Sequence, residues 1–316
     1  EAPFHCHLEH VPTARLDAAR VLEARPLAIG AIVLRQPATT RADPACSTRR
    51  PLAFHVTRGV LNVAVLPDGA HFVVGTRALV VGNPHQDPAT ALRLAELKLY
   101  HVSGRCAHTY TAAHKGDVRA VAVTADGLHI ISGAYDHRVS VWSVANKSHV
   151  STCDGHDGWV RACALGRFLI TGDDSGTVRV FAVGSAEPMK IIQGHDGAIT
   201  AMSYNEDQTN VVTCGDDGTV HVLDLGTGQT VCRMEGHEDA VNGVAYTKDG
   251  YGIVSVSSDR TLRFWSATNG AELVKFGCGE DESMTIAVAP DNRWTTATSG
   301  KDGKVRIWSI DYESYY

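Results

Sequence analysis

Four segments of the chain open in nearly the same way, and their spacing constrains the fold more than any other feature. They are Ala113-His114-Lys115-Gly116-Asp117-Val118, Gly155-His156-Asp157-Gly158-Trp159-Val160, Gly194-His195-Asp196-Gly197-Ala198-Ile199 and Gly236-His237-Glu238-Asp239-Ala240-Val241, with successive histidines 42, 39 and 42 residues apart. A second signature follows further along each unit, at 132–142, 171–181, 213–223, 255–265 and 298–308, opening on Ser or Thr and closing on Trp142, Phe181, Leu223, Trp265 and Trp308. A unit of about 40 residues cannot bury its own apolar face, so a chain built this way makes its core by stacking copies.

Between the signatures the apolar residues alternate, as in Val118-Arg119-Ala120-Val121-Ala122-Val123 and Thr219-Val220-His221-Val222-Leu223. A period of two belongs to strands with one face turned inward. Ala125-Asp126-Gly127, Lys248-Asp249-Gly250, Asp217-Gly218 and Asp302-Gly303 supply residues that tolerate positive φ in tight hairpins. Each unit therefore reads as a four-stranded antiparallel meander, with strands expected near 118–123, 128–133, 138–143 and 148–152 in the clearest copy. Four strands per unit of this length is the make-up of a propeller blade.

With period, Gly-His, Asp and Trp in agreement over residues 52–311, the chain resembles the WD-repeat β-propeller family. The family's closing Trp-Asp is Trp142-Ser143, Trp265-Ser266 and Trp308-Ser309 here. The resemblance implies an all-β ring of four-stranded antiparallel blades closed by an N-terminal strand. Within a blade, a His before the first strand, a Ser or Thr on the second, an Asp in the next turn and a Trp on the third can satisfy one another's buried polar groups. Complete sets are His114/Ser132/Asp136/Trp142 and His237/Ser255/Asp259/Trp265. The unit of His195 has Thr213 and Asp217 but Leu223 for Trp, and the unit of His156 has Ser175 and Phe181 at the Asp and Trp positions. The last unit has 278–282 where Gly-His should stand, so the third and sixth blades of the series are expected to be looser.

Val60-Leu61-Asn62-Val63-Ala64-Val65 opens an earlier blade whose third strand, near 97–100, arrives late. The surplus, 77–95, is expected to be an exposed loop. The last unit ends on a third strand at 306–310, and a ring avoids an open edge only if the N-terminal part supplies a fourth. Residues 20–24 would do so for seven blades, with a degenerate blade running from 27–34 to about 56; residues 51–56 would do so for six. The seven-bladed ring is preferred, with 1–51 as N-terminal segment and 52–316 as blades. A third reading makes 13–25 a helix, with Leu16, Ala19 and Leu22 on one face.

The formal charge is −6 and the pI about 6.2, which argues against a surface that neutralises nucleic-acid or lipid phosphates. The longest uncharged apolar run, 27–34, is far shorter than the roughly 20 residues a membrane helix needs. The chain opens on Glu1 rather than Met, so a trimmed piece of something larger is expected. Eight cysteines, at 6, 46, 106, 153, 163, 214, 232 and 278, form no close Cys-x-x-Cys pair and read as reduced thiols of a cytoplasmic or nuclear protein. Asn146-Lys147-Ser148 is formally a glycosylation sequon.

Four of the sixteen histidines belong to the repeated opening. His5, Cys6, His7 and His10 have zinc-ligand chemistry, but adjacent ligands on one segment make poor geometry, so no metal or other cofactor is expected. Nucleophile-elbow, phosphate-loop and zincin motifs are missing, and the paired carboxylates 173–174, 216–217 and 280–282 recur where hairpin turns fall. The reading is therefore non-catalytic: an interaction platform within a larger complex, holding a peptide or subunit on its channel face. In the resembled family that face carries the opening loops and the turns after the second strands, here Arg119, Tyr135, Trp159, Arg161, Asp174, Asp216, Asn242, Ser258 and Lys301. Trp159 stands out because the aligned positions hold Asp117, Ala198 and Ala240. Two other uses are a reader of modified peptide tails or ubiquitin-ligase substrate receptor, and the sensor propeller of a NACHT-type nucleotide switch. Protein or peptide partners are expected, with the propeller itself monomeric in a hetero-complex and without nucleic-acid or membrane contact.

Overall fold

The structure is a computed structural model that describes residues 31–34, 52–55, 60–81, 92–278, 282–288, 296–300 and 305–308. Among these residues there is no helix. Four consecutive antiparallel sheets have four strands each: β8 Val118–Val123, β9 His129–Ala134, β10 Val139–Ser143 and β11 Ser148–Cys153; β12 Val160–Leu165, β13 Leu169–Asp173, β14 Thr177–Phe181 and β15 Pro188–Gln193; β16 Ile199–Tyr204, β17 Asn210–Gly215, β18 Val220–Asp224 and β19 Thr230–Met234; and β20 Val241–Tyr246, β21 Gly252–Ser257, β22 Thr261–Ser266 and β23 Glu272–Gly277. Before them comes a sheet of β3 Val60–Val65, β4 His71–Thr76, β6 Leu92–His101 and β7 Cys106–His114, with β5 Leu79–Val81 paired to the far end of β6. After them comes a three-stranded sheet of β24 Ser283–Val288, β25 Thr296–Gly300 and β26 Val305–Trp308. The expected strands of the clearest unit fall within one residue of those observed.

Burial explains the composition of each strand. The second and third strands are buried along their whole length in β9 from its second residue and throughout β10, β13 and β14. Both of their faces are covered, so the polar residues set between their aliphatic ones, such as Ser132 and Thr171, are buried as well and must find hydrogen-bond partners. First strands alternate, as β12 does, and outer strands such as β23 are largely open to solvent. The core lies between sheets: Val212, Val220 and Met234 of one pack on Val241, Tyr246 and Trp265 of the next, and Leu97 and Tyr110 pack on Val118, Ile130 and Trp142. First strands of successive sheets lie against one another from β3 through β8, β12, β16 and β20 to β24. That approach needs glycine on the second strand. A Cβ on Gly133 would lie 2.5 Å from Val160 Cγ1 and one on Gly172 2.6 Å from Ile199 Cγ2.

One expectation needs correction here. The surplus 77–95 is not all loop, because Leu79↔Leu94, Val80↔Arg93 and Val81↔Leu92 pair β5 with a lengthened β6; the Leu-Val-Val run has strand propensity and finds an apolar partner segment. At the N-terminal side, β1 Ala31–Leu34 and β2 Leu52–His55 pair with each other from Ala31↔His55 to Leu34↔Leu52. Residues 20–24, 13–25 and the cluster His5, Cys6, His7 and His10 lie outside the described residues, as does Lys301.

Candidate partner-binding face

Each complete unit is fastened by the same chain of polar groups. Trp142 Nε1 donates to Ser132 Oγ at 2.8 Å, Ser132 Oγ lies 2.7 Å from His114 Nε2, and His114 Nδ1 lies 3.0 Å from both oxygens of Asp136. The directions are self-consistent: the hydroxyl accepts from the indole and donates to Nε2, and Nδ1–H donates to the carboxylate. His237, Ser255, Asp259 and Trp265 repeat it at 2.8, 2.7 and 2.8 Å. Where Leu223 replaces Trp, His195 still reaches Thr213 at 2.9 Å and Asp217 at 3.1 Å, and His221 stacks on it with ring centroids 4.2 Å apart.

The unit of His156 is not the loose one. Its carboxylate comes from Asp173, two residues before Ser175, with Oδ2 2.8 Å from His156 Nδ1 while His156 Nε2 lies 2.8 Å from Thr171 Oγ1. Ser175 bridges to the other oxygen, and the buried Arg179 donates to Asp173 and, at 3.0 Å, to Asp157. Phe181 fills the Trp position as pure packing. Burial opposes charge on Asp173, yet hydrogen bonds from His156 and Ser175 outweigh it and hold the carboxyl at about 2. Asp259 and Asp217 are likewise held at about 2 by their Thr and His partners against burial. Burial lowers His156, His195 and His237, so the relay is a neutral imidazole against a carboxylate. These carboxylates are structural anchors rather than an acid–base pair.

The fastened loops build a face. Backbone N–H groups of Tyr135, Asp174, Asp216 and Ser258 donate to the carbonyls of Asp117, Trp159, Ala198 and Ala240 at 2.9–3.1 Å, which establishes the four positions as equivalent. On this face Trp159 crosses to the preceding sheet and stacks on Tyr135, with centroids 4.5 Å apart and planes 16° from parallel. The Arg119 guanidinium lies 5.5 Å from the centre of the Tyr135 ring. Trp159 thus packs on its neighbour and still leaves 41% of its surface exposed. Asp174 accepts the Trp159 backbone N–H at 2.7 Å, Arg161 pairs with Asp216 at 3.1 Å, and Asn242 donates to Ser258 at 2.9 Å. Arg119, Tyr135, Trp159 and Asp174 form one cluster, joined through residues 159–161 to Arg161 and Asp216; Asn242 and Ser258 form a second.

Sequence reasoning missed Asp173, Arg179, Arg263 and Asn62, whose side chain donates to the Arg119 carbonyl at 2.7 Å. A visible signal for Arg179 and Arg263 was a charged residue inside an otherwise apolar third strand. No cluster of three metal-ligating side chains occurs among the described residues, and their six cysteines are all free.

A family model described as "WD domain, G-beta repeat" matches residues 104–143, 147–181, 186–224, 228–266 and 275–309. Among curated proteins, the chain is 27% identical over 103 residues to the nuclear distribution protein nudF of Emericella nidulans. The match covers 32% of the chain and 23% of that relative, so the chain spans under a quarter of the length of the relative it matches.

Proposed function

We propose that this chain, which belongs to the WD-repeat family, holds a protein or peptide partner on the face that carries Arg119, Tyr135, Trp159 and Arg161. WD repeats are protein-interaction modules, and the family is not a catalytic one. The observation that carries the assignment to this face is the exposed Trp159 stacked on Tyr135 beside Arg119. A rigid aromatic next to a guanidinium offers a large contact area with little side-chain entropy to lose, the usual make-up of an interface anchor. The sheet itself does not require an indole there, since its equivalents are Asp117, Ala198 and Ala240.

In the proposed assembly the sheets form a seven-bladed ring, with residues 1–51 contributing the closing strand and part of the degenerate blade. The pairing of β1 with β2 supports this over six blades, where 51–56 would pair instead with the last strand. The ring acts as a monomeric subunit of a hetero-complex in the cytoplasm or nucleus. Reading of a modified tail draws no specific support: Asp174 and Asp216 are already engaged, and two nearly parallel stacked rings do not wall a cage around a cation.

The test is affinity capture from cell extract with the intact chain beside Trp159→Ala/Arg161→Ala, followed by mass spectrometry. Partners lost only with the variant support the face. Partners retained equally, with thermal stability unchanged, remove the site to the 77–95 segment, the N-terminal part or the sheet sides.

A further inference from the structure

The third strands offer an internal comparison at one register position. Ser140, Arg179, His221 and Arg263 lie opposite Ser132, Thr171, Thr213 and Ser255, the hydroxyls of the fastening network. In three sheets the residue is long and closes the space beside the histidine: Arg179 against Asp173 and Asp157, His221 against His195, Arg263 against Glu272. Ser140 is too short to do so. A cleft of about 300 Å³ opens in its place, bordered by Lys115, Arg138, Trp142 and His149.

The border has changed sign together with the vacancy. Lys115 stands where the other units have Asp157, Asp196 and Glu238, and Arg138 where they have Thr177, Thr219 and Thr261. His149 pairs across from Trp142 as Glu272 does from Trp265. Lys115 is exposed and enters no ion pair among the described residues. Arg138 meets Asp154 through Nε at 3.3 Å, with both side chains largely exposed, and His149 is held edge-on to Trp142 with Nε2 2.9 Å from Thr152 Oγ1. Asp136, the one carboxylate bordering the cleft, is taken up by His114 and by the backbone N–H groups of Lys115 and Arg138.

We propose that this cleft beside β10 and the outer strand β11 binds a phosphate monoester. Three basic groups arrive from three separate segments, and a phosphate presents three acceptor oxygens where a carboxylate presents two. The proposal does not depend on a partner at Trp159.

The intact chain is titrated calorimetrically with N-acetyl-O-phosphoserine amide, inorganic phosphate and acetate. Saturable binding of the ester is expected, with acetate much weaker. Lys115→Asp/Arg138→Thr, which installs the residues of the neighbouring unit, and Ser140→Leu, which fills the cleft, should each weaken it about tenfold or more. A circular dichroism spectrum and urea midpoint like the parent's are required of each variant, which guards against a folding failure of the bulkier one. An ester that binds more tightly than inorganic phosphate identifies a phosphorylated side chain as the source; equal binding identifies free phosphate. No saturation by either phosphate probe, equal binding of acetate, or undiminished binding by the folded double variant overturns the proposal.

Discussion

Removing one carboxylate from the third blade of the series should destabilise the protein more than removing its counterpart from the second, the reverse of what the motif spelling suggests. Asp173 is fully buried, and beside it lies the Arg179 guanidinium, 3% exposed. In Asp173→Ala the one carboxylate left to that cation is Asp157, whose side chain is 88% exposed, with the neutral His156 ring beside it at 3.1 Å. A buried charge stripped of its partner costs about 3–5 kcal/mol. Asp136 has no buried cation; it holds His114 and two backbone N–H groups, so Asp136→Ala should cost about 1–3 kcal/mol. Urea unfolding followed by tryptophan fluorescence and circular dichroism should therefore place Asp173→Ala about 2 kcal/mol below Asp136→Ala. Asp173→Ala/Arg179→Met should recover much of the loss, because no orphan charge remains. Equal midpoints for the two single variants would refute the claim that Arg179 makes Asp173 the stronger anchor.

Acid sensitivity follows from the same groups. The Asp173, Asp217 and Asp259 carboxyls sit near 2 in the folded chain against 3.8 normally, so their stabilisation is complete above about pH 4 and is lost as pH falls toward 2. His156, His195 and His237 lie below 6.5 when folded, so stability should begin to decline below about pH 6.5 as the unfolded chain takes up protons first; urea midpoints that stay constant from pH 7 to 3 would contradict both. Gly133→Ala should cost about 1–3 kcal/mol by forcing Val160 away, whereas Gly277→Ala, with open space around its Cβ, should be nearly neutral in the same assay. Burial pushes the Cys153 thiol up to about 11 and Cys214 up to about 12, so iodoacetamide at pH 8 should label the exposed Cys106 well before either, as read by peptide mass spectrometry.

The period and the turn residues made the sheets legible, because both are local: alternation marks a strand wherever it occurs, and Asp-Gly marks a hairpin. The networks of His114 and His237 were legible for the same reason. Asp173 was not, since counting residues puts Ser175 at the acidic position, while a side chain only needs to reach, and Asp173 reaches from the strand end with Ser175 bridging. The contacts of Trp159 with Tyr135 and of Arg161 with Asp216 join residues 24 and 55 positions apart in different sheets. No periodicity encodes how one sheet sits against the next, so the sequence could nominate these residues for a face but not pair them.

The loop position held by Asp117, Trp159, Ala198 and Ala240 is tied down in all four sheets through its carbonyl. Acid, indole and methyl groups occupy it in turn while the same hydrogen bond is kept. A lineage could therefore exchange these side chains one blade at a time, gaining or losing a partner by single substitutions without first having to repair the fold. Blades that share this hydrogen bond are free to differ there in the side chain they present.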